Sequence, residues 1–188
     1  MNEELKRADS EFVRVREYAS DILVELPYAT PDNFMGQAVY TFHDAWLRRG
    51  TAKKLAVAQE MLRSKNLGLK ILDAFRPPAA QFVMWEVLPD DDFVANPHKG
   101  FSNHSRGNAV DVTLVDTDGR ELPMPTEFDD FSPRANRDYS GLDAERAANA
   151  HLLEQTMEKA GFKPYFGEWW HFADQDVYPV EQEFIPED

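Results

Sequence analysis

The sequence predicts an α+β fold, in which helices pack on a β-sheet. Two segments with helical periodicity, residues 51–66 and 143–160, alternate irregularly with short apolar runs that are typical of buried strands. The hydrophobic fraction of 43% and the aromatic fraction of 12% are those of a globular chain with a sizeable core. Because the chain has 188 residues and no internal repeat, we expect one domain that spans residues 1–188.

Composition excludes several classes of function. The absence of cysteine excludes disulfides, thiolate nucleophiles and cysteine-ligated zinc, so any metal must be held by nitrogen and oxygen. The formal charge of −14 opposes binding to nucleic acid. The start, MNEELKRADSEF, has no apolar signal segment, and no apolar run is long enough to cross a membrane. We therefore expect a soluble, cytoplasmic protein without nucleic-acid or membrane partners, and the sequence leaves homo-oligomerisation open.

The first third of the chain predicts short strands, a loop and a helix. Residues 12–26 alternate apolar and polar side chains only in part, which indicates one or two short strands. YATPDNFMG, residues 28–36, holds turn formers and is predicted to be a loop. A helix is predicted over Thr51–Asn66, with Gly68 as its terminator. Its apolar face would consist of Leu55, Val57, Ala58, Met61 and Leu62.

The middle of the chain predicts two buried strands around a helix. LKILDAF, residues 69–75, is typical of a short buried strand, and the prolines of Arg76-Pro77-Pro78 are tolerated in the first turn of a helix. That helix would be AAQFVMWEVL, residues 79–88. A loop over residues 89–108 then leads to a strand over 109–115.

The last third predicts a long loop, a helix and an aromatic strand. Residues 116–140 are polar, contain three prolines and indicate an ordered loop. Residues 143–160 predict the next helix, with Gly161 at its end. FKPYFGEWWHF, residues 162–172, has the aromatic composition of a strand.

The stretch SNHSRGNAVDVTL, residues 102–114, places polar groups where a loop enters a buried strand. Asp111 lies in the middle of that strand, and burial of a carboxylate is costly unless it is paired, hydrogen-bonded or bound to a metal. His104 lies seven residues upstream, and Gly107 permits a sharp approach of the loop to the strand. Histidine nitrogen and aspartate oxygen bind Zn²⁺ at ~2.0–2.2 Å, and a catalytic site has three such ligands. Alternatively, the histidine is solvated and Asp111 pairs with Arg106.

The segment GEWWHF, residues 167–172, contains a second pair of polar residues in an aromatic setting. If His171 is the third ligand, Glu168 is free to act as a base in metal-assisted hydrolysis. Residues three apart face opposite sides of a regular strand, so this interpretation requires a bulge or an irregular end of the strand. In the alternative interpretation, Glu168 and His171 only bond each other inside an aromatic core.

These two motifs carry a resemblance to a known family. SNHSRGNAVD followed by EWWH resembles the SxHxxGxAxD and ExWH pair of the zinc D-Ala-D-Ala metallopeptidases. YATPDNF and DAFRP narrow the resemblance to the D-alanyl-D-alanine dipeptidases, best known from vancomycin-resistance clusters, and it extends from Tyr28 to His171. It implies a central, mainly antiparallel sheet flanked by helices, a fold that the hedgehog signalling domain resembles.

The resemblance also implies roles for individual residues. His104, Asp111 and His171 would bind one Zn²⁺ per chain. Glu168 would be the catalytic base, and Arg76 would stabilise the transition state, since a guanidinium can donate to a developing oxyanion. An arginine at this position could instead only bond a carbonyl at the strand end.

The substrate-binding residues implied by the resemblance are Ser102 and Asp129, which would hold the free ammonium of a dipeptide. The adjacent Asp130 is an alternative, because this loop is one residue shorter than in the family pattern. PRANRDYSG, residues 133–141, departs from that pattern.

The function that follows is hydrolysis of D-alanyl-D-alanine to two D-alanines by metal-activated water. Alternative functions are those of a peptidoglycan D,D-carboxypeptidase, an L-alanyl-D-glutamate endopeptidase or a non-catalytic zinc binding module. The joint presence of Glu168 and Arg76 argues against the binding module, which needs neither a base nor an oxyanion donor. A carboxylate that faces the substrate ammonium would reject N-acylated peptides, since it would be left unpaired. Antibiotic resistance and D-alanine salvage are both compatible with this activity.

Overall fold

The structure is a computed structural model that describes residues 8–188. Its strands are β1 (Phe12–Arg14), β2 (Leu23–Val24), β3 (Trp46–Arg48), β4 (Gly68–Asp73), β5 (Ala109–Val115), β6 (Phe162–Tyr165) and β7 (Glu168–Asp174). The helices of ten residues or more are α1 (Arg49–Arg63), α2 (Pro78–Val87) and α3 (Ala144–Lys159). Within residues 8–188, none of the helices is long and apolar enough to cross a membrane.

A five-stranded sheet with the order β2-β4-β5-β7-β6 forms the centre of the molecule. Strand β2 runs parallel to β4, and the pairings β4–β5, β5–β7 and β6–β7 are antiparallel. Strands β1 and β3 form a separate antiparallel pair. These pairings confirm the predicted α+β class and the mainly antiparallel central sheet.

Strand β5 is the buried middle of this sheet. All seven of its residues are buried, including Asp111, because β4 and β7 cover its two edges. Helices α1 and α3 contact each other and pack on the sheet. Val110 and Val112 belong to the hydrophobic core, and alternation along the strand turns Asp111 to the opposite face. The sheet therefore presents a carboxylate at its centre.

Helix α1 differs in detail from its prediction. It ends at Arg63, and Asn66 takes the left-handed conformation, with φ 57°. Gly68 is instead the first residue of β4, where a Cβ atom would lie 3.1 Å from Nε2 of the buried Gln59. Val57 is 52% exposed, because at 100° per residue it lies on the face opposite the buried positions of the helix.

The prediction was also wrong for two strands. The three-residue strand β3 was not predicted, because it runs directly into α1 without a turn signal. The segment predicted as one aromatic strand forms two strands, β6 and β7. Tyr165 pairs with Glu168, whereas Pro164 pairs with Phe172, so residues 169–171 form a bulge in β7.

Gly107 shapes the loop that leads into β5. Its φ of 73° is left-handed, and a Cβ atom there would lie 2.4 Å from Cε1 of Phe12. The Phe12 ring is stacked on Phe184 at 4.2 Å between ring centroids and meets the edge of Phe75 at 4.7 Å. The Cζ atom of Arg48 lies 4.1 Å from the same ring. The ring is held on several sides and cannot move away.

We expect Gly107→Ala to lower the free energy of unfolding by roughly 2–4 kcal/mol, of which about 1 kcal/mol comes from the positive φ and the rest from overpacking against Phe12. Gly36→Ala is the matched control, because Gly36 has φ 66° and open space around it. It should cost only about 1 kcal/mol. Urea denaturation measures both, and equal losses would contradict the proposed clash.

Candidate active site

The residues that the sequence singled out line a single cavity of about 260 Å³. They come from the loop after β4, the loop before β5, β5 itself, the loop before α3, and β7. The seven residues are Arg76, Ser102, His104, Asp111, Asp129, Glu168 and His171. The fold thus brings together side chains that are separated by up to 95 positions between Arg76 and His171.

His104, Asp111 and His171 form a compact cluster at the cavity wall. Asp111 pairs directly with His171 across β5 and β7, which places both side chains on one face of the sheet. The His171 Nδ1 atom lies 2.9 Å from Asp111 Oδ1 and 3.1 Å from His104 Nε2. His104 Nε2 lies 3.3 Å from the same Asp111 oxygen. Arg106 does not pair with Asp111, because its guanidinium donates to the Tyr178 carbonyl at 3.0 Å.

The orientation of the His104 ring is fixed by a hydrogen bond on the side that faces away from the cluster. Its Nδ1 atom lies 2.7 Å from the Ala74 carbonyl oxygen, which can only accept, so Nδ1 carries the proton and donates. The Nε2 lone pair therefore faces the cluster, as a metal ligand requires. The backbone N–H of Arg76 donates to the His104 carbonyl at 3.2 Å. The segment DAFRP and the loop of His104 therefore brace each other.

The residues of the cluster shift one another's pKa values. Burial lowers the pKa of His104, but the carboxylates of Asp111 and Asp73 outweigh it, so this pKa is raised above its usual value. Burial acts to raise the pKa of Asp111, yet His104 and His171 hold it well below its usual range. Asp111 is thus kept ionised, in the form that binds a cation.

Glu168 lies beside the cluster on the bulged part of β7. The bulge allows Glu168 and His171 to face the same cavity, as the sequence interpretation required. Glu168 Oε2 lies 3.9 Å from His171 Nδ1, which is too long for a hydrogen bond, so the two residues do not simply bond each other. Burial raises the pKa of Glu168 to about 8, with His171 acting in the opposite direction.

Arg76 is anchored by Asp73, a site residue that the sequence interpretation missed. Its Nε and Nη2 atoms donate to Asp73 Oδ2 at 3.1 and 2.7 Å. Asp73 Oδ1 accepts from the Tyr40 hydroxyl at 2.8 Å and from the Ala74 N–H at 2.9 Å. The guanidinium is thus held by a carboxylate rather than by a strand-end carbonyl. Asp73 lies inside the apolar run LKILDAF as the last residue of β4, and the argument used for Asp111 would have found it.

Asp129 and Ser102 occupy other parts of the cavity wall. The Tyr28 hydroxyl contacts Asp129 Oδ1 at 2.9 Å and Oδ2 at 3.1 Å. Burial raises the pKa of Asp129 to about 7, although the Tyr28 bond opposes it. Asp130 instead lines a separate surface depression. The Ser102 hydroxyl is buried without a hydrogen-bond partner among residues 8–188.

Aromatic rings and further acidic residues complete the cavity, and the sequence interpretation did not find them. Phe131 contacts Phe34 at 5.0 Å and Phe93 at 5.3 Å between ring centroids. The Tyr165 hydroxyl donates to the Asp92 carbonyl at 3.1 Å and so connects the β6–β7 hairpin to the loop after α2. Phe34, Phe93 and Phe131 lie outside the strands and the long helices, where side chains follow no periodicity, so no sequence signal identified them. Tyr165 ends β6 and belongs to the aromatic segment that the sequence did indicate.

The fold and the site together define a class of protein. A His–Asp–His cluster of metal-binding type, with a buried glutamate and arginine beside it on an antiparallel sheet, is the arrangement of a metallopeptidase. The model of the Peptidase_M15 family, described as D-ala-D-ala dipeptidase, matches residues 8–186, and the chain belongs to this family.

Characterised relatives are similar over most of the chain. A D-alanyl-D-alanine dipeptidase of Escherichia coli (strain K12) is 36% identical over 152 residues, which cover 81% of this chain and 78% of that protein. The D-alanyl-D-alanine dipeptidase of Enterococcus faecium is 31% identical over 189 residues, covering 89% of this chain and 94% of the relative. Among solved structures, the LdcB LD-carboxypeptidase is similar with a TM-score of 0.46 and 19% identity, over 77% of this chain and 65% of that one.

The raised pKa of Asp129 has a consequence for stability in the metal-free protein. A carboxyl whose pKa rises from 3.8 to about 7 on folding stabilises the fold at low pH, and this contribution is lost as pH rises through about 7. Asp129→Asn stays neutral, and asparagine tolerates the left-handed φ of 60° at this position. We therefore expect the variant to gain stability relative to the wild type as pH rises from about 4 to about 7.

The measurement is urea denaturation of both metal-free proteins across this pH range. Asp130→Asn is the matched control, since Asp130 lies outside the cavity. A change with pH that is no larger for Asp129→Asn than for Asp130→Asn would contradict the burial of an ionisable carboxyl at position 129.

Proposed function

We propose that this chain is a single zinc metallopeptidase domain that hydrolyses free D-alanyl-D-alanine to two D-alanines. The observation that carries the proposal is the convergence of the His104–Asp111–His171 cluster with Glu168 and Arg76 on one cavity. Family membership and relatives named as D-alanyl-D-alanine dipeptidases support the choice of substrate.

The donor atoms of the cluster fit one zinc ion. Two ligands at ~2.0–2.1 Å from a tetrahedral zinc ion are roughly 3.3 Å apart. The three donor atoms in this chain are separated by 2.9, 3.1 and 3.3 Å. When it is bound, Zn²⁺ lowers the pKa of a water molecule at its open position and polarises the scissile carbonyl. His104, Asp111 and His171 would hold it.

Glu168 is the general base in this proposal. Its carboxylate accepts a proton from the attacking water and passes it to the leaving amine of the second D-alanine. A raised pKa suits the second half of this task, because a strongly acidic carboxylic acid gives up its proton too early to serve the amine. The aromatic walls exclude water and thereby strengthen these interactions.

Arg76 stabilises the charge that develops on the carbonyl oxygen. The bonds of its Nε and Nη2 atoms to Asp73 fix the plane of the guanidinium. Within residues 8–188 no side-chain bond engages Nη1, so its two N–H groups are available to a substrate oxygen. The Tyr28 ring lies 5.6 Å from Cζ and supports the same orientation. A donor that is fixed before the reaction needs no reorganisation during it.

Asp129 and Ser102 recognise the free ammonium of the dipeptide. The Ser102 hydroxyl is buried and has no other partner within residues 8–188, and Asp129 presents a carboxylate held by Tyr28. An N-acylated peptide would leave both groups unpaired, at a cost of roughly 1–3 kcal/mol or more. A cell-wall D,D-carboxypeptidase or endopeptidase, the rival activities, needs a site that accepts such peptides. The cytoplasmic location and the absence of nucleic-acid and membrane partners stay predictions of the sequence, which leaves homo-oligomerisation open.

Hydrolysis of free D-alanyl-D-alanine, compared with its N-acetyl derivative, tests this proposal. We expect the zinc-loaded protein to cleave the free dipeptide at least about 10-fold faster in kcat/KM, because 1.4 kcal/mol corresponds to a factor of ten. Asp129→Asn should raise KM for the free dipeptide and reduce the ratio of kcat/KM between the free and the N-acetylated dipeptide. Cleavage of the N-acetyl peptide at an equal rate would assign a carboxypeptidase, and cleavage of neither would overturn the dipeptidase.

Glu168→Gln separates catalysis from metal binding. The amide cannot accept the proton, so kcat should fall by about 10²- to 10⁴-fold. Because Glu168 is not one of the three ligands, the zinc content determined by mass spectrometry should stay at about one ion per chain. A variant that loses its zinc, or one that keeps more than a tenth of wild-type kcat, would count against the role assigned to this side chain.

A further inference from the structure

Arg137, in the loop that precedes α3, is an arginine whose side chain is largely buried. It belongs to residues 133–141, the segment PRANRDYSG that departs from the family pattern, and its side chain is 5% exposed. Its charge is balanced by Glu154 of α3, with Nη1 at 2.9 Å from Oε2. The Tyr139 hydroxyl donates to the same Glu154 oxygen at 2.9 Å. The guanidinium is therefore anchored to α3 through the Glu154 carboxylate.

Nη1 also donates to the Tyr139 hydroxyl at 3.3 Å, and three other donors of Arg137 reach backbone carbonyls of the β6–β7 hairpin. Nε donates to the Tyr165 carbonyl at 2.7 Å, and Nη2 donates to the His171 carbonyl at 2.9 Å. The backbone N–H of Arg137 donates to the Phe166 carbonyl at 3.0 Å. Its Cζ atom lies 4.4 Å from the centre of the Phe172 ring. One residue thus holds the end of β6, the turn and the middle of β7.

These bonds lie where the hairpin lacks its own pairing. Pro164 pairs with Phe172 but has no N–H to donate, and beyond it the register shifts. Within residues 8–188, His171 has no pairing partner in β6, and its carbonyl is held by Arg137 instead. The bulge is the feature that turns both Glu168 and His171 into the cavity. A bulge without ladder hydrogen bonds needs another source of donors to keep its shape.

We propose that Arg137 is a positioning residue that holds the β7 bulge in the shape in which His171 reaches the metal and Glu168 reaches the substrate. The inference rests on the proposed zinc site. Arg137 contacts neither metal nor substrate and acts through the His171, Tyr165 and Phe166 carbonyls. The planar fork of a guanidinium is required, because a lysine ammonium cannot span two carbonyls and a carboxylate in one plane.

The test compares the full-length wild type with Arg137→Ala, Arg137→Lys and the control Arg146→Ala. Arg146 is a matched control, because it also bonds a carboxylate and a backbone carbonyl, those of Asp143 and Met124, but lies away from the hairpin. Three properties are measured below the unfolding temperature of every variant. They are the zinc dissociation constant by chelator competition, the visible absorption spectrum of the Co(II)-loaded protein, and kcat and KM for D-alanyl-D-alanine.

We expect Arg137→Ala to raise the zinc dissociation constant by about 10- to 100-fold, the usual effect of removing a group that orients a ligand. The Co(II) spectrum should change, and kcat should fall while KM changes little. Added guanidinium ion, at non-denaturing concentration, should restore part of kcat in Arg137→Ala but not in Glu168→Gln. Arg137→Lys should give an intermediate loss, and it replaces the alanine variant if that variant does not fold.

Unchanged zinc affinity and Co(II) spectrum in the folded Arg137 variants, as in Arg146→Ala, would overturn the proposal and leave Arg137 a purely structural residue. A wild-type protein that binds zinc but cleaves no dipeptide would overturn the proposed function alone. In that case the zinc affinities and spectra still decide the role of Arg137. A wild-type protein that binds no zinc would overturn both.

Discussion

The pairing of Asp111 with His171 across two central strands is the interaction on which the rest of the site depends. A carboxylate in a fully buried strand is tolerable only if cationic or metal partners surround it. His171 opposes it in the neighbouring strand, and His104 reaches it from a loop that Gly107 turns toward β5. The bulge in β7 then adds Glu168 to the same face. The turn at Gly107 and the bulge in β7 thus gather the side chains of the site around this one buried charge.

A second buried carboxylate extends the same arrangement. Asp73 pairs with Asp111 across β4 and β5, so two acidic side chains lie side by side in the sheet. The His104 ring is located between them, with Nδ1 3.5 Å from Asp73 Oδ2 and Nε2 3.3 Å from Asp111 Oδ1. Arg76 neutralises Asp73 on its other side. The proposed zinc ligands and the proposed oxyanion donor are therefore connected through Asp73, and a change in one of these residues acts on the others.

The sequence predicted those elements of this protein that depend on interactions between residues close together in the chain. The buried strand of Asp111 and the helix that ends just before Gly161 could be predicted from periodicity and terminators. The site residues could be named because polar groups in apolar strands need partners, and because two motifs resemble those of a family. Asp73 could have been found by the same reasoning. The short strand β3 could not, since its three residues are stabilised by pairing with a distant segment. Arg137 could not either, because an arginine in a polar loop gives no sign that it bonds distant carbonyls.

The distances along the chain between the three proposed ligands also determine when the site can form. His104 and Asp111 are seven residues apart, whereas Asp111 and His171 are separated by 60. The unfolded chain can offer two donors locally, but the third arrives only when β5 and β7 pair, a contact of high sequence separation that forms slowly. A metal ion has little affinity for the unfolded chain under these conditions. Nearly all of its binding free energy therefore stabilises the native state, and the ion opposes unfolding rather than directing the early steps of folding.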